Sequence, residues 1–265
     1  MTKKIKISNI LLTLVVLLIL LFLLAPIIAV VGGSFNSESY FSFPPETWSL
    51  KWYKAAFRNK EHLSSLKVSL QLSLTAAALG IVFSLPACIA LVRGKSRFIS
   101  HLKTLFMAPI FVPSIVWAVG LLQFMGIFNI SGSFILLVLA HTILTTPYII
   151  RVVGASLEEF NLTLEDAAAS LGATRSQTFR YITLPLIRPG VIVGAVFSFM
   201  ISFSELIITL FISGSRFTTF PVRVYSAMRT EGLDPIVLAY STVIILVALI
   251  LSIVGEKFAR WSRFF

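Results

Sequence analysis

Six long apolar stretches divide this chain, with the polar residues collected between them. They occupy 10–31, 70–92, 105–128, 133–150, 191–212 and 235–254. A helix needs about 20 mainly apolar residues to cross the hydrocarbon core of a bilayer, so each stretch predicts one transmembrane helix. The fourth is the shortest and ends against Arg151. The first follows Lys3, Lys4 and Lys6, as in a signal peptide, but its run exceeds the roughly 7–15 residues of a signal core. It reads as an uncleaved span. The expected fold class is all-α: a polytopic membrane protein with six transmembrane helices in a single domain over 1–265.

Two of the intervening segments are long enough to fold. In the loop 34–62, Leu50, Tyr53 and Phe57 recur at i, i+3 and i+7 beside Trp48 and Trp52. That spacing predicts a short amphipathic helix at the membrane surface, or alternatively a docking surface for an external partner. The loop 151–188 carries two helix starts. Thr163 is followed three residues on by Asp166, and Thr174 by Gln177; a hydroxyl and a carboxylate or amide at that distance form a capping box. Ala167, Ala168 and Ala169 favour helix, Gly172 provides a stop, and the second helix is expected to end before Pro185. The segment reads as helix, glycine turn, helix.

Composition narrows the class. Hydrophobic residues make up 57% and charged residues 12% of the chain, and the mean hydropathy is +0.94. About a quarter of an ordinary soluble domain is charged, so a soluble enzyme, a disordered chain and a disulfide scaffold are excluded. The net charge is +11, but no polar domain presents a basic surface to nucleic acid. The cations instead set an orientation. With the N-terminus cytoplasmic, 14 of the 22 Lys and Arg fall on the cytoplasmic side and eight outside. Both termini are then cytoplasmic, the loop 34–62 is outside and the loop 151–188 inside. Cys88, the one cysteine, is read as helix packing.

The inner loop carries a resemblance. Asp166-Ala167-Ala168, then Gly172, then Ile182, Leu184 and Pro185 look like the EAA loop of bacterial ABC import permeases: Glu-Ala-Ala, three residues, Gly, nine residues, Ile, one residue, Leu-Pro. Every spacing matches, and the departure is Asp166 in place of Glu. Trp48 to Tyr53, His141 with Pro147 and Arg151, Ser202 to Glu205 and Phe220 to Ser226 resemble the spermidine/putrescine branch. The resemblance implies the permease of a type I importer in the bacterial inner membrane. It implies a second permease subunit, identical or different, two ATP-binding-cassette subunits and a periplasmic solute-binding protein. The helix near 164–171 would be the coupling helix, with Glu165, Asp166, Ala167, Ala168, Gly172, Ile182, Leu184 and Pro185 as its ATPase-coupling residues. ATP and Mg would be used by the partner ATPase. Arg93-Gly94-Lys95-Ser96 looks like the end of a P-loop, but the required first glycine falls at Ile89, so no ATPase site, catalytic residue or bound cofactor is expected here. The implied substrate is a polyamine or related cationic amine; similar permeases serve phosphonate, ferric iron or opines.

Among the eleven acids, Glu205 alone falls deep within a predicted span. An ionisable group there is costly unless it is paired or faces water. It is therefore a candidate ammonium partner, the alternatives being a pair with a cation of the second permease or a protonated carboxyl. Ser198, Ser202, Phe203 and Trp117 are the other candidate pathway residues. His141, near Thr142, Thr145 and Thr146, is expected to hydrogen-bond between helices. Three histidines in separate regions offer no metal constellation. A six-span intramembrane protease would need a Gly-flanked serine facing a histidine, and Ser213-Gly214-Ser215 lies outside the spans. A channel would leave the two-helix inner loop without a role.

Overall fold

The computed structural model describes residues 7–259 except 131, 215, 231, 233 and 234. Among these the chain is almost wholly helical and contains no β-strand, only an isolated bridge between Asn36 and Trp48. The helices are α1 (Ile7–Gly33), α2 (Lys51–Ala56), α3 (Lys60–Arg93), α4 (Arg97–Phe111), α5 (Ser114–Ile127), α6 (Phe134–Glu158), α7 (Thr163–Ser170), α8 (Arg175–Thr178), α9 (Leu184–Ser204), α10 (Ile207–Ile212), α11 (Phe220–Thr230) and α12 (Pro235–Ala259). Among the described residues, four helical stretches are long and apolar enough to cross a membrane: Leu11–Gly33, Lys60–Arg93, Phe134–Glu158 and Arg175–Ser204. The bent pair α4 and α5 makes a fifth if taken as one span, and the apolar part of α12, Pro235–Ile250, is shorter.

The chain divides into two compact units, Met1–Leu63 with Val224–Ile250, and Ser64–Arg223 with Leu251–Phe265. In the first, α1 is apolar all round and exposed from Leu11 to Ile28. A helix with no polar face belongs in lipid or against other helices. The segment after it folds back, with Ser49 N donating to Phe35 O and Ser37 N to Thr47 O. The buried Asn36 closes the fold by donating to Tyr40 O and Ser42 Oγ. The expected amphipathic helix is α2, with Leu50 and Phe57 just beyond its ends.

In the second unit, α6 is the central element and α9 packs along it. Gly190 and Gly194 lie one turn apart on α9. A Cβ on Gly190 would fall 2.0 Å from Ser156 Oγ, and one on Gly194 would fall 3.5 Å from Ile149 Cα. Two glycines at i and i+4 let membrane helices approach backbone to backbone. Leu137, Val138, Ala140 and Met125 pack with Ile208 and Ile212 in one cluster; Ile149, Val153, Leu157 and Ile187 pack with Cys88 in another. Cys88 Sγ donates to Ile150 O at 3.5 Å.

Three predicted spans differ in detail. The third, 105–128, bends by 101° between α4 and α5. Val112 is extended (ψ 123°) before Pro113, because a residue preceding proline is pushed out of the helical region. The fourth, 133–150, does not stop at Arg151, whose side chain is exposed, and α6 continues to Glu158. The fifth, 191–212, breaks at Glu205 (ψ 118°), which separates α9 from α10.

The loop 151–188 is correspondingly shorter in the structure. A π-turn over Phe179–Thr183 joins α8 to α9, so the second helix continues through Pro185 instead of ending before it. Proline has no N–H to give, and the wider turn just ahead of it absorbs that mismatch. The capping box at Thr174 and Gln177 is present. The one expected at Thr163 is not, because Thr163 is already the first helical residue. Asn161 Oδ1 accepts from both Thr163 N and Thr163 Oγ1 instead.

Candidate functional site

Two constellations stand out in the second unit. The first is built around α7. Its end is a Schellman turn: Gly172 has φ +86°, Gly172 N donates to Ala169 O, and Ala173 N to Ala168 O. A left-handed residue favours glycine there. Glu165, half-buried, pins the helix from two sides. Its Oε1 lies 2.5 Å from Arg93 Nη2 at the end of α3 and accepts from Thr183 Oγ1 in the π-turn. Ala168, 6% exposed, faces inward with it. Asp166, Ala167, Gly172 and Pro185 are exposed, while Ile182 and Leu184 are half-buried.

The sector of α7 next to Ala168 is uncovered. Leu164 is 46% and Leu171 89% exposed, with Ala167 between them. These positions at i, i+3 and i+7 form an apolar ridge on α7 and its C-terminal cap, adjoining the sector that Glu165 and Ala168 anchor. Arg93, Glu165, Asp166, Arg175 and Thr183 line a cleft on the anchored side of α7. The sequence reading found the motif residues but missed Arg93 and Thr183, which hold them. No local signal pairs Arg93 with Glu165 across 72 positions.

The second constellation surrounds the break in the fifth span. Glu205 ends α9, is half-buried, and its Oε1 accepts from Ile208 N at 3.0 Å in the first turn of α10. It is thus a cap at a helix break and not a mid-helix carboxylate as the sequence suggested. His141, fully buried on α6, bridges the break. Nδ1 is 2.8 Å from Ser202 Oγ and Nε2 is 3.0 Å from Thr209 Oγ1. Thr209 Oγ1 donates to Glu205 O at 3.3 Å. The proton order that satisfies all three has Nε2–H donating to Thr209 and Nδ1 accepting from Ser202.

The other candidates are placed as follows. Ser202 is engaged by His141. Ser198 is buried with no hydrogen-bond partner for Oγ and lies near Gly80 of α3 and Thr145 of α6. Phe203 is half-buried, its ring 5.7 Å from that of Phe199. Trp117 packs on the cluster around Leu137, with its Nε1 buried and unbonded. Glu205 and Phe203 therefore stand at the partly open side of α9, and Ser198 and Ser202 in its sealed seam with α6. Among the described residues, no three His, Cys, Asp or Glu side chains could hold a metal ion.

The His141 bridge carries a stability prediction. His141→Leu removes two interhelical hydrogen bonds, each worth about 0.6–1.7 kcal/mol in a membrane bundle. The thermal midpoint of the detergent-purified chain should fall; an unchanged midpoint would mean that both hydroxyls find new partners.

Residues 80–263 match the family model described as the binding-protein-dependent transport system inner membrane component. The chain is 32% identical over 238 residues to the putrescine transport system permease protein PotI of Escherichia coli strain K12, covering 87% of this chain and 84% of that one. It is 31% identical over 240 residues to the spermidine/putrescine transport system permease protein PotC of Haemophilus influenzae, covering 90% and 92%. Among solved structures, a bacterial ABC transporter involved in import of the acidic polysaccharide alginate aligns with TM-score 0.74 at 14% identity, over 97% of this chain and 98% of that chain. An inward-facing MetNI methionine ABC transporter aligns with TM-score 0.58 at 21% identity, over 75% and 94%. At these identities the structural likeness is one of fold.

Proposed function

The chain belongs to the family of inner membrane components of binding-protein-dependent transport systems, and from that membership we propose that it is a permease subunit of an ATP-driven importer for a polyamine or related cationic amine. The observation that carries the substrate class is similarity along most of both chains to two permeases named for putrescine and spermidine. Six crossings are proposed: α1, α3, the bent α4–α5 pair, α6, the α8–α9–α10 run, and α12. Both termini and α7 are cytoplasmic, as the distribution of Lys and Arg favours.

The mechanism follows from the two constellations. A second permease subunit completes the pathway, two ATP-binding-cassette subunits sit beneath, and a periplasmic binding protein delivers the solute. ATP and Mg act on the cassette subunits, and this chain transmits the motion without hydrolysing ATP. The ridge of Leu164, Ala167 and Leu171 enters a cleft of one cassette subunit. Because Glu165 ties α7 to Arg93 and Thr183, force on the ridge passes into α3 and α9 together, a rigid-body displacement of packed helices. Asp166, Ala168, Gly172, Ile182, Leu184 and Pro185 shape that joint. Glu205, freed from the regular helix by the break, offers its carboxylate to an ammonium group beside Phe203. Ser198, Ser202 and Trp117 support that wall from the packed side.

The test is reconstitution with the cognate cassette subunits, second permease and binding protein, measuring ATP hydrolysis with putrescine, spermidine and a phosphonate. Stimulation by an amine is expected. Stimulation by the phosphonate alone would overturn the substrate assignment.

A further inference from the structure

The first unit contains a surface that the transport reading does not use. On α2 and the turn after it, Lys51, Lys54 and Arg58 are exposed and line an open groove with Ser49, Leu50 and Ala55. Among the described residues, no carboxylate lines it. The turn beyond α2 stays helical enough to hold the register, with Phe57 N donating to Tyr53 O and Asn59 N to Ala55 O. At 100° per residue the three cations fall within one sector of about 60°, and Leu50 and Phe57 occupy the adjoining sector. Leu50 is 58% and Phe57 67% exposed. Tyr53, Trp52 and Ala56 turn the other way, into the unit. The helix therefore has a packed side, a bare apolar edge and a basic edge.

Its depth is fixed by two hydrogen bonds. Tyr53 Oη is 2.7 Å from Ser34 Oγ, one residue past the end of α1. Tyr240 Oη donates to Ala56 O from a position five residues into α12, which is about 7–8 Å along that helix. Both α1 and α12 are apolar helices, so α2 is held at the level where they reach the bilayer boundary. An interfacial helix buries its apolar edge about 5–10 Å into the headgroup and acyl boundary, and the two depths agree. Trp48, 72% exposed, adds the kind of aromatic anchor found at that level. Lys51 is already held in place, donating to Ser37 O at 3.0 Å with its Nζ 4.5 Å over the Trp52 ring.

We propose that α2 and its flanks bind the phosphate headgroup of an anionic phospholipid, with Lys54, Arg58 and Lys51 as its partners and Leu50 and Phe57 beside its acyl chains. The surface serves whichever leaflet it faces, and it is independent of the transported solute. Charge complementarity favours lipid phosphate, and the bare apolar edge favours lipid over a soluble acidic protein, which would leave Leu50 and Phe57 without a partner phase.

The experiment uses the full chain in nanodiscs of phosphatidylcholine doped with headgroup-photoactivatable phosphatidylglycerol at a subsaturating fraction. Cross-linking is mapped by peptide mass spectrometry. Label is expected on the segment 48–58, competed by unlabelled phosphatidylglycerol and not by phosphatidylcholine. A surface cation contributes about five-fold to binding an anionic membrane, so Lys54→Gln with Arg58→Gln should lower labelling there by about 25-fold. Lys95→Gln with Arg97→Gln, at another exposed basic turn, should leave it unchanged. If the double variant fails to fold, Lys54→Gln alone is read the same way, with a drop of about five-fold. Equal labelling from a phosphatidylcholine probe, or labelling indifferent to Lys54 and Arg58, would overturn the proposal. So would protection of the segment by the solute-binding protein with no effect of lipid headgroup, which would assign the surface to that protein.

Discussion

Leu171→Asp is expected to abolish substrate-stimulated ATP hydrolysis in the assembled importer while the chain remains folded and inserted. Leu171, the C-terminal cap of α7, is 89% exposed, and among the described residues nothing covers it. Burying a leucine against a partner contributes about 1.5–3 kcal/mol. An aspartate there loses that term and adds the cost of desolvating a carboxylate, of the order of 2 kcal/mol or more. Together these weaken docking by more than about a hundred-fold. Copurification of the cassette subunits and ATP hydrolysis both read the effect, and wild-type stimulation in the variant would sink the docking assignment. Ala168→Arg should give the same loss by another route. Ala168 faces inward at 6% exposure, so a guanidinium there lifts α7 from the Glu165 anchorage. Hydrogen exchange separates the two: it rises across 163–173 in Ala168→Arg and stays unchanged in Leu171→Asp.

Glu205→Gln carries the second large effect. The amide keeps an oxygen that can accept from Ile208 N, so the break between α9 and α10 persists. Only the negative charge is lost. A hydrogen bond to a charged partner is worth about 1.5–3 kcal/mol, so uptake of an amine should fall about ten- to hundred-fold, with thermal stability unchanged. Glu205→Ala should lose uptake and in addition about 1 kcal/mol of capping, lowering the thermal midpoint. If Glu205→Gln transports at the wild-type rate, the carboxylate is a helix cap and nothing more.

The sequence alone determined a membrane-embedded helical chain, because hydrophobic length and helical period are local properties. It also determined α7, its Gly172 terminus and the Thr174 capping box, since a cap, a left-handed turn and a short helix are decided within a few residues. The close approach at Gly190 and Gly194 was not read from the sequence; the fold identified Ile149 and Ser156 as the backbone and side chain they approach. Three matters were left to the tertiary structure. The apolar runs 105–128 and 191–212 look continuous in hydropathy, yet both break, because hydropathy measures transfer into lipid and not backbone direction. Helix breaks survive in a membrane only where neighbours satisfy the freed groups; at the second break, Glu205 bonds Ile208 and His141 reaches Ser202 and Thr209. The anchorage of α7 likewise joins Arg93, Glu165 and Thr183 across the chain. Such pairings depend on where α3, α7 and α9 meet, a distance that no local pattern encodes.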